Sequence, residues 1–216
     1  MPLSALSFRR VAVVGGTALA AMLVVAGTFI DPDIGADGRE LAEAYAAEPG
    51  RTQVSALCLH FAFAMWAPVT FALVAMVRGP GAWFANTAAV LAVLGATTLP
   101  GFLLTDFYDI AIAGELGLDA WTQVNDRLED LPGATILFFS AFLGFALCLP
   151  FATFGAWRAR LVPLWLPFAV LVGFFGGQAV PGGAGLLVLA AMLVVLAVAL
   201  ARIDPAAWGR PPVLAE

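Results

Sequence analysis

The chain has 216 residues, of which 62% are hydrophobic and only 12% are charged. Soluble domains are about 45–50% apolar, so this composition excludes an ordinary soluble globule and indicates an integral membrane protein. The formal net charge is −5, and the sequence has no basic stripe interleaved with aromatic residues, which excludes a nucleic-acid-binding surface. Two cysteines are too few for a disulfide framework.

Six apolar segments approach or exceed the length of about 20 residues that a helix needs to cross a hydrocarbon core about 30 Å thick. The first segment follows Arg9 and Arg10. It is longer than the about 7–15 residues of a signal-peptide core, so we expect it to be retained. The chain is predicted to be one all-α transmembrane domain, residues 1–216, with spans at residues 11–30, 54–77, 82–104, 134–157, 161–180 and 185–202.

The polar connection at residues 31–53 is predicted to contain a short amphipathic helix that ends before Pro49. Asp37 and Glu40 have the spacing of a capping box, in which two side chains satisfy free N–H groups at a helix start. The residues that follow at helical spacing form one apolar face, made of Leu41, Ala44 and Tyr45.

The third span is predicted to kink at Pro100, because a proline inside a helix removes one hydrogen bond and clashes with the preceding turn. Thr97 and Thr98 lie one turn earlier, and their hydroxyls are expected to bond to the backbone there. The span then runs directly into Asp106 and Asp109, which are three residues apart and share a face if the helix continues.

The second polar connection, residues 105–133, is predicted to contain another short amphipathic helix. Asp119 is the candidate cap at its start. Its apolar face is expected to lie on the membrane or over the mouth of the bundle, and consists of Trp121, Val124, Leu128 and Leu131.

Arginine placement predicts the orientation, because short cytoplasmic loops carry an excess of basic residues. With six spans and a cytoplasmic N-terminus, only Arg39, Arg51 and Arg127 fall outside. Both termini are then cytoplasmic, and both amphipathic helices are extracytoplasmic. We expect a multi-pass protein of the bacterial plasma membrane, with the other seven arginines inside: Arg9, Arg10, Arg78, Arg158, Arg160, Arg202 and Arg210.

Four polar side chains are predicted to meet near the outer surface of this bundle. His60, the single histidine, lies about six residues, or about 9 Å, down the second span. Asp106 and Asp109 leave the third span at the same level, and Gln178 lies near the outer end of the fifth. Intramembrane ionisable groups usually face a partner or a water-filled cavity. The alternative interpretation is that the carboxylates only mark the rim of the bundle and that His60 is bonded to a neighbouring helix.

Metal, disulfide and nucleophile chemistry is not expected. Cys58 and His60 lie about 200° apart around a helix, and one histidine cannot supply the usual zinc or copper ligand sets. Cys148 lies too deep to bridge to Cys58. Ser140 has no nucleophile motif around it. We therefore predict no metal and no cofactor. Two small-residue pairs, Ser140 with Gly144 and Gly173 with Gly177, predict close helix packing.

Two short stretches of the sequence resemble those of a known group of proteins. They are AYAAEPGRTQ in the first polar connection and LLTDFYDIAI at the end of the third span. With the order of spans and loops, they resemble uncharacterised six-helix integral membrane proteins of high-GC Gram-positive bacteria. The resemblance covers most of the chain and implies the six-span topology. That group has no established activity, so the resemblance implies no mechanism.

Three classes of function stay open, of which the first is favoured. The first is a non-enzymatic membrane component, either an interaction subunit or a structural protein. The second is a small transporter, sensor or proton-coupled ligand binder that uses His60, Asp106, Asp109 and Gln178. The third is a membrane-embedded enzyme, against which the absence of nucleophile and redox motifs counts. The expected partners are the lipid bilayer and either a small-molecule ligand or another membrane protein.

Overall fold

The computed structural model describes residues 5–32, 36 and 38–209, so the proposed capping residue Asp37 lies outside the described residues. Every regular element within those ranges is a helix. In chain order the helices are α1 Ala5–Ile30, α2 Gly38–Ala47, α3 Pro49–Ala64, α4 Trp66–Met76, α5 Ala82–Leu103, α6 Thr105–Leu116, α7 Leu118–Glu129, α8 Pro132–Arg158, α9 Trp165–Ala179, α10 Gly183–Ala201 and α11 Pro205–Trp208.

The protein is an all-α, multi-pass membrane protein. Within the described ranges, five segments are long and apolar enough to cross a bilayer. The apolar helix α9 has 15 residues and spans about 22 Å, which is shorter than a hydrocarbon core of about 30 Å. The five long segments are Phe8–Ile30, Pro49–Met76 (α3 with α4), Ala82–Leu99, Pro132–Arg158 and Gly183–Ala201.

Neighbouring long helices run antiparallel, which gives the bundle two chemically different ends. The Arg10 guanidinium, near the start of α1, donates to the carbonyl of Ala201 at the end of α10. The same side of the bundle holds the loop residues Arg78 and Arg160 and the last residue of α8, Arg158. We call this side the arginine end. The opposite side carries α2, α6 and α7, three short helices that together form the cap.

Helices α5 and α8 pack closely, with glycines facing glycines. A Cβ on Gly95 would lie 2.9 Å from the amide nitrogen of Phe145, and one on Gly144 would meet the backbone of Gly95. Near the arginine end, a Cβ on Gly155 would lie 3.1 Å from the amide nitrogen of Ala85. Small residues let helix backbones approach closely in lipid. The predicted packing role of Gly144 is therefore confirmed.

The glycines of α9 make a similar contact with α10. A Cβ on Gly177 would lie 2.9 Å from the carbonyl oxygen of Gly185, and one on Gly173 would lie 2.5 Å from the side chain of Met192. The predicted packing role of the Gly173–Gly177 pair is confirmed by these contacts. Because α9 begins beside α8 at the arginine end, this contact directs it toward the cap.

Three aromatic rings fill the centre of the bundle. Trp66 packs against Phe145 with ring centroids 4.0 Å apart. Phe174 of α9 contacts both rings, at 5.7 Å from Trp66 and 5.6 Å from Phe145. The cluster joins α4, α8 and α9 around rings that are almost fully buried. Such aromatic pairs add about 0.5–1.5 kcal/mol each beyond the area that they bury.

The helix that contains Pro100 is interrupted beyond the proline rather than at it. Helix α5 continues to Leu103, and a turn at Leu104 separates it from α6. The expected threonine contacts are confirmed: the Thr97 hydroxyl donates to the Val93 carbonyl at 2.9 Å, and the Thr98 hydroxyl donates to the Leu94 carbonyl at 2.7 Å.

The cap has three short helices where the sequence predicted two. The additional helix is α6, whose residues the sequence pattern assigns to the end of the third span and to a loop. Its Ala113 packs with Ala42 of α2 and Trp121 of α7 in a small core separate from the main one. The predicted role of Asp119 as a helix cap is wrong. Gly117 precedes α7 without a side-chain cap, and Asp119 instead forms an exposed ion pair of 2.8 Å with Arg39 of α2.

The rest of the predicted apolar face of α7 does not join this core. Val124, Leu128 and Leu131 are 48%, 43% and 54% exposed. Of the four residues predicted to form that face, only Trp121 is buried. The exposed three line a shallow groove on the outside of the cap.

Substituting alanine for Gly144 tests the contact between α5 and α8. The added Cβ would overlap the backbone of Gly95, so we expect a loss of about 1–3 kcal/mol in the free energy of unfolding. The measurement is a denaturation series of the purified protein in detergent. Gly176→Ala is the matched control, because a Cβ there meets open space. Equal stability of the two variants would contradict a glycine-dependent contact.

Candidate functional site

Asp31 joins three helices at the cap side of the bundle. Its amide donates to the Gly27 carbonyl at 2.9 Å, which continues the turn of α1. Its carboxylate is 9% exposed and accepts a bond of 2.9 Å from the Ser55 hydroxyl of α3. The Tyr45 hydroxyl of α2 makes a longer contact of 3.5 Å with the same oxygen. The carboxylate therefore holds α1, α2 and α3 together.

Arg51 completes this junction from the first turn of α3. Its guanidinium donates to the carbonyls of Ile30 at 3.0 Å and Asp31 at 3.3 Å, and it pairs with Glu48 at 2.8 Å. The last carbonyls of a helix have no partner within the helix. A cation at that position satisfies them and complements the negative end of the helix dipole.

Asp106 and Asp109 lie on α6, the middle helix of the cap. Their separation of three residues places both on one face of that helix, as the sequence predicted, although on a new helix rather than on the third span. The Trp121 indole donates to Asp109 at 2.6 Å and so links α6 to α7. We call the group of three aspartates and one tyrosine at this place the carboxylate cluster, which consists of Asp31, Tyr45, Asp106 and Asp109.

The members of the carboxylate cluster act on one another through charge. Burial raises the pKa of the Asp106 carboxyl to about 6, and the negative charges of Asp109 and Asp31 act in the same direction. Burial also raises the pKa of Asp109, while the Trp121 hydrogen bond opposes that rise. The pKa of the Tyr45 phenol is raised by burial first, and then by the charges of Asp106, Asp31 and Asp109.

His60 and Gln178 have other surroundings. His60 is half-buried and lines a cavity together with Trp66 and Cys148. It lies five residues beyond Ser55 on α3, which is about 7.5 Å deeper and about 140° around the helix axis. Gln178 is exposed near the end of α9. The structure thus groups the two aspartates with Asp31 and Tyr45, and the wider four-residue site stays a prediction.

Reasoning from the sequence did not select Asp31, Tyr45 or Ser55 for this site, although one signal pointed to the first. Asp31 directly follows an apolar run of helix length, as Asp106 nearly does at the end of the third span. Two carboxylates that follow odd-numbered spans must emerge at the same side of a bundle. Tyr45 and Ser55 gave no such signal, because a tyrosine on an amphipathic helix and a serine in a span usually serve packing.

The carboxylate cluster can hold and release a proton. Two carboxylates that share a partly dry site resist ionising together, so one keeps its proton to a higher pH. Across the described ranges, no three His, Cys, Asp or Glu side chains are arranged to hold one metal ion.

Comparison with known proteins does not assign this site. No protein-family model matches the chain, and neither a curated protein nor a solved structure matches it.

Ser55→Ala tests the junction at Asp31. It removes the short hydrogen bond to a buried carboxylate, so we expect a loss of about 1–2 kcal/mol in the free energy of unfolding at pH 7.5. Denaturation in detergent measures it. Thr122→Ala is the control, because among the described residues the Thr122 hydroxyl bonds only to the Leu118 carbonyl of its own helix. If both variants lose the same stability, Ser55 has no special role.

Proposed function

We propose that the protein is a non-enzymatic component of a bacterial plasma membrane whose cap responds to the pH outside the cell. In this proposal the chain crosses the membrane six times, both termini are cytoplasmic and the cap is extracytoplasmic. One observation carries the functional part: Asp106, half-buried on a cap helix, faces the charges of Asp109 and Asp31.

The direction of α9 supports the sixth crossing. It begins just after Arg158 and Arg160 at the arginine end, and it ends where Gly177 contacts Gly185 at the start of α10. The four residues before α9 and the three after it can extend a short helix to the thickness of a bilayer. The resemblance to six-helix proteins of high-GC Gram-positive bacteria supports the same topology and the bacterial membrane.

Charge supports the proposed orientation. The arginine end carries Arg10, Arg78, Arg158 and Arg160, which the positive-inside rule places in the cytoplasm. The cap instead carries six acidic residues on α6 and α7 alone: Asp106, Asp109, Glu115, Asp119, Asp126 and Glu129. An acidic outer surface and a basic inner surface agree with both termini lying inside.

Cysteine labelling in intact cells tests this topology. In a background with Cys58→Ala and Cys148→Ala, single cysteines replace Glu129 in the cap, Pro181 between α9 and α10, and Pro80 at the arginine end, all exposed positions. A membrane-impermeant maleimide should label the first two in intact cells and the third only after lysis. A Pro181→Cys protein that is protected in intact cells would contradict the sixth crossing.

The proposed response is a loosening of the cap as the outside pH rises. The pKa of Asp106 is raised from 3.8 to about 6, so the folded cap binds a proton that the unfolded cap would release. The stabilisation is full below about pH 4 and is lost as the pH rises through about 6. Above that value, ionised Asp106 repels Asp109 and Asp31, which weakens the hold of α6 on α2 and α3.

The neighbours of Asp106 on each packed helix are consistent with this response. Next to Asp106, Asp31 at the end of α1 contributes a negative charge, and Tyr45 on α2 contributes a neutral hydroxyl. On α3, the guanidinium of Arg51 is directed to the Ile30 and Asp31 carbonyls and to Glu48. On α7, the Trp121 indole bonds to Asp109. The Arg51 guanidinium and the Trp121 indole are therefore each bonded to a group other than the Asp106 carboxylate.

Hydrogen exchange of the cap measures the response. After correction for the intrinsic pH dependence of exchange, the amides of α2 and α6 should be about tenfold better protected at pH 5 than at pH 7.5. A pKa of about 6 in the folded cap and of 3.8 in the unfolded chain gives this factor between the two pH values. Asp106→Asn should remain well protected at both pH values.

Glu115→Gln is the matched control, because Glu115 is an exposed carboxylate on the same helix. It should retain the pH response of the unsubstituted chain. A response that persists in Asp106→Asn, or that is lost in Glu115→Gln, would show that Asp106 does not control the cap.

A further inference from the structure

A second polar feature lies inside the membrane-spanning region, away from the carboxylate cluster. It is a cavity of about 120 Å³ among α3, α4, α5 and α8, here called the Trp66 cavity. Most of its wall is apolar. The lining residues that bear on its chemistry are His60, Ala64, Trp66, Ala96, Leu99 and Cys148.

Two side chains of this wall carry hydrogen-bonding groups that pair with no residue in the described ranges. The Trp66 side chain is 2% exposed, and its Nε1 has no hydrogen-bond partner in the described part of the chain. His60 has an edge contact with the Phe61 ring at 5.5 Å. Its imidazole likewise bonds to no residue within the described ranges. Unpaired polar groups at this depth are costly, since lipid cannot satisfy them.

The backbone adds an acceptor at the same place. Helices α3 and α4 are separated at Met65, and Pro68 has no N–H to give to the Ala64 carbonyl four residues earlier. Ala64 also lines the Trp66 cavity. Cys148 is different, because its thiol has an acceptor in the Phe145 carbonyl at 3.5 Å.

The Trp66 cavity is reached from the lipid. Ala64 of α3 and Ala96 of α5 are exposed, while His60 and Leu99 beside them are half-buried. All four lie within the apolar spans Pro49–Met76 and Ala82–Leu99. A ligand that enters here is therefore dissolved in the bilayer and uncharged. At about 120 Å³ the cavity is smaller than the cavity of about 150 Å³ that accepts benzene in another protein, so it takes the edge of one ring while the rest of the ligand stays in the lipid.

We propose that the Trp66 cavity binds the carbonyl-bearing edge of a quinone ring from the bilayer. The imidazole of His60 donates to the quinone oxygen, and the flat ring packs against the aromatic wall formed by Phe63, Trp66 and Phe145. The Trp66 N–H takes no part in this contact, because Nε1 is covered and the ring is held between Phe145 and Phe174. The remainder of the quinone extends into the lipid. The proposal concerns binding and includes no electron transfer.

The test uses the full-length protein in lipid nanodiscs, with duroquinone as the probe and durene as its analogue without carbonyl oxygens. The four methyl groups of duroquinone prevent addition of cysteine thiols to the ring. Titration calorimetry, corrected with empty nanodiscs, should show saturable binding of duroquinone and weaker binding of durene. His60→Phe should weaken duroquinone binding about fivefold, the factor that corresponds to a hydrogen bond of about 1 kcal/mol, and should leave durene binding unchanged.

Phe71→Leu is the matched control for His60→Phe. Phe71 is an aromatic residue of α4 that is 40% exposed and outside the cavity wall, so duroquinone affinity should not change. Ala96→Phe provides a second variant, because the exposed position tolerates a large side chain that blocks the opening, and it should abolish binding. The proposal is overturned if duroquinone does not saturate, if durene binds as tightly, or if His60→Phe or Ala96→Phe binds like the unsubstituted protein.

Discussion

The close approach of α5 and α8 is the contact on which the rest of the molecule depends. It requires Gly95 and Gly144, because a Cβ on either would overlap the opposite backbone. Hydrophobic burial does not drive helices together within lipid, so close backbone packing must supply part of the attraction. The cap depends on the same pair, since α6 follows α5 and α7 leads into α8. The positions of two of the three cap helices, α6 and α7, are thus set by one interface.

The carboxylate cluster and the Trp66 cavity differ in whether their polar groups have partners within the protein. At the cap, Asp31 is bonded by Ser55 and Tyr45, and Asp109 is bonded by Trp121. Asp106 is held beside like charges, so its environment favours a bound proton. Deeper in the bundle, His60 and Trp66 face a cavity without partners in the described part of the chain. One feature is suited to a proton and the other to a ligand from the bilayer.

Much of this arrangement was predictable because a bilayer restricts the possible structures. Apolar length indicated the membrane-crossing segments, and the hydroxyls of Thr97 and Thr98 bond to the backbone as expected. Helix α6 was missed because its apolar residues continue those of the third span, so composition alone does not mark the turn at Leu104. The role of Asp119 was wrongly predicted because its partner, Arg39, is 80 residues away in the chain.

The sequence by itself determined that the protein is an all-α membrane protein, that its arginines and acids are segregated, and that Asp106 and Asp109 share a helix face. These properties depend on composition and on local spacing. Only the tertiary structure decided that Asp31 and Tyr45 join the aspartates while His60 lies beside Trp66 and Cys148. Depth along a span is readable from residue number, but the direction of a side chain around the helix axis depends on which neighbour that helix packs against.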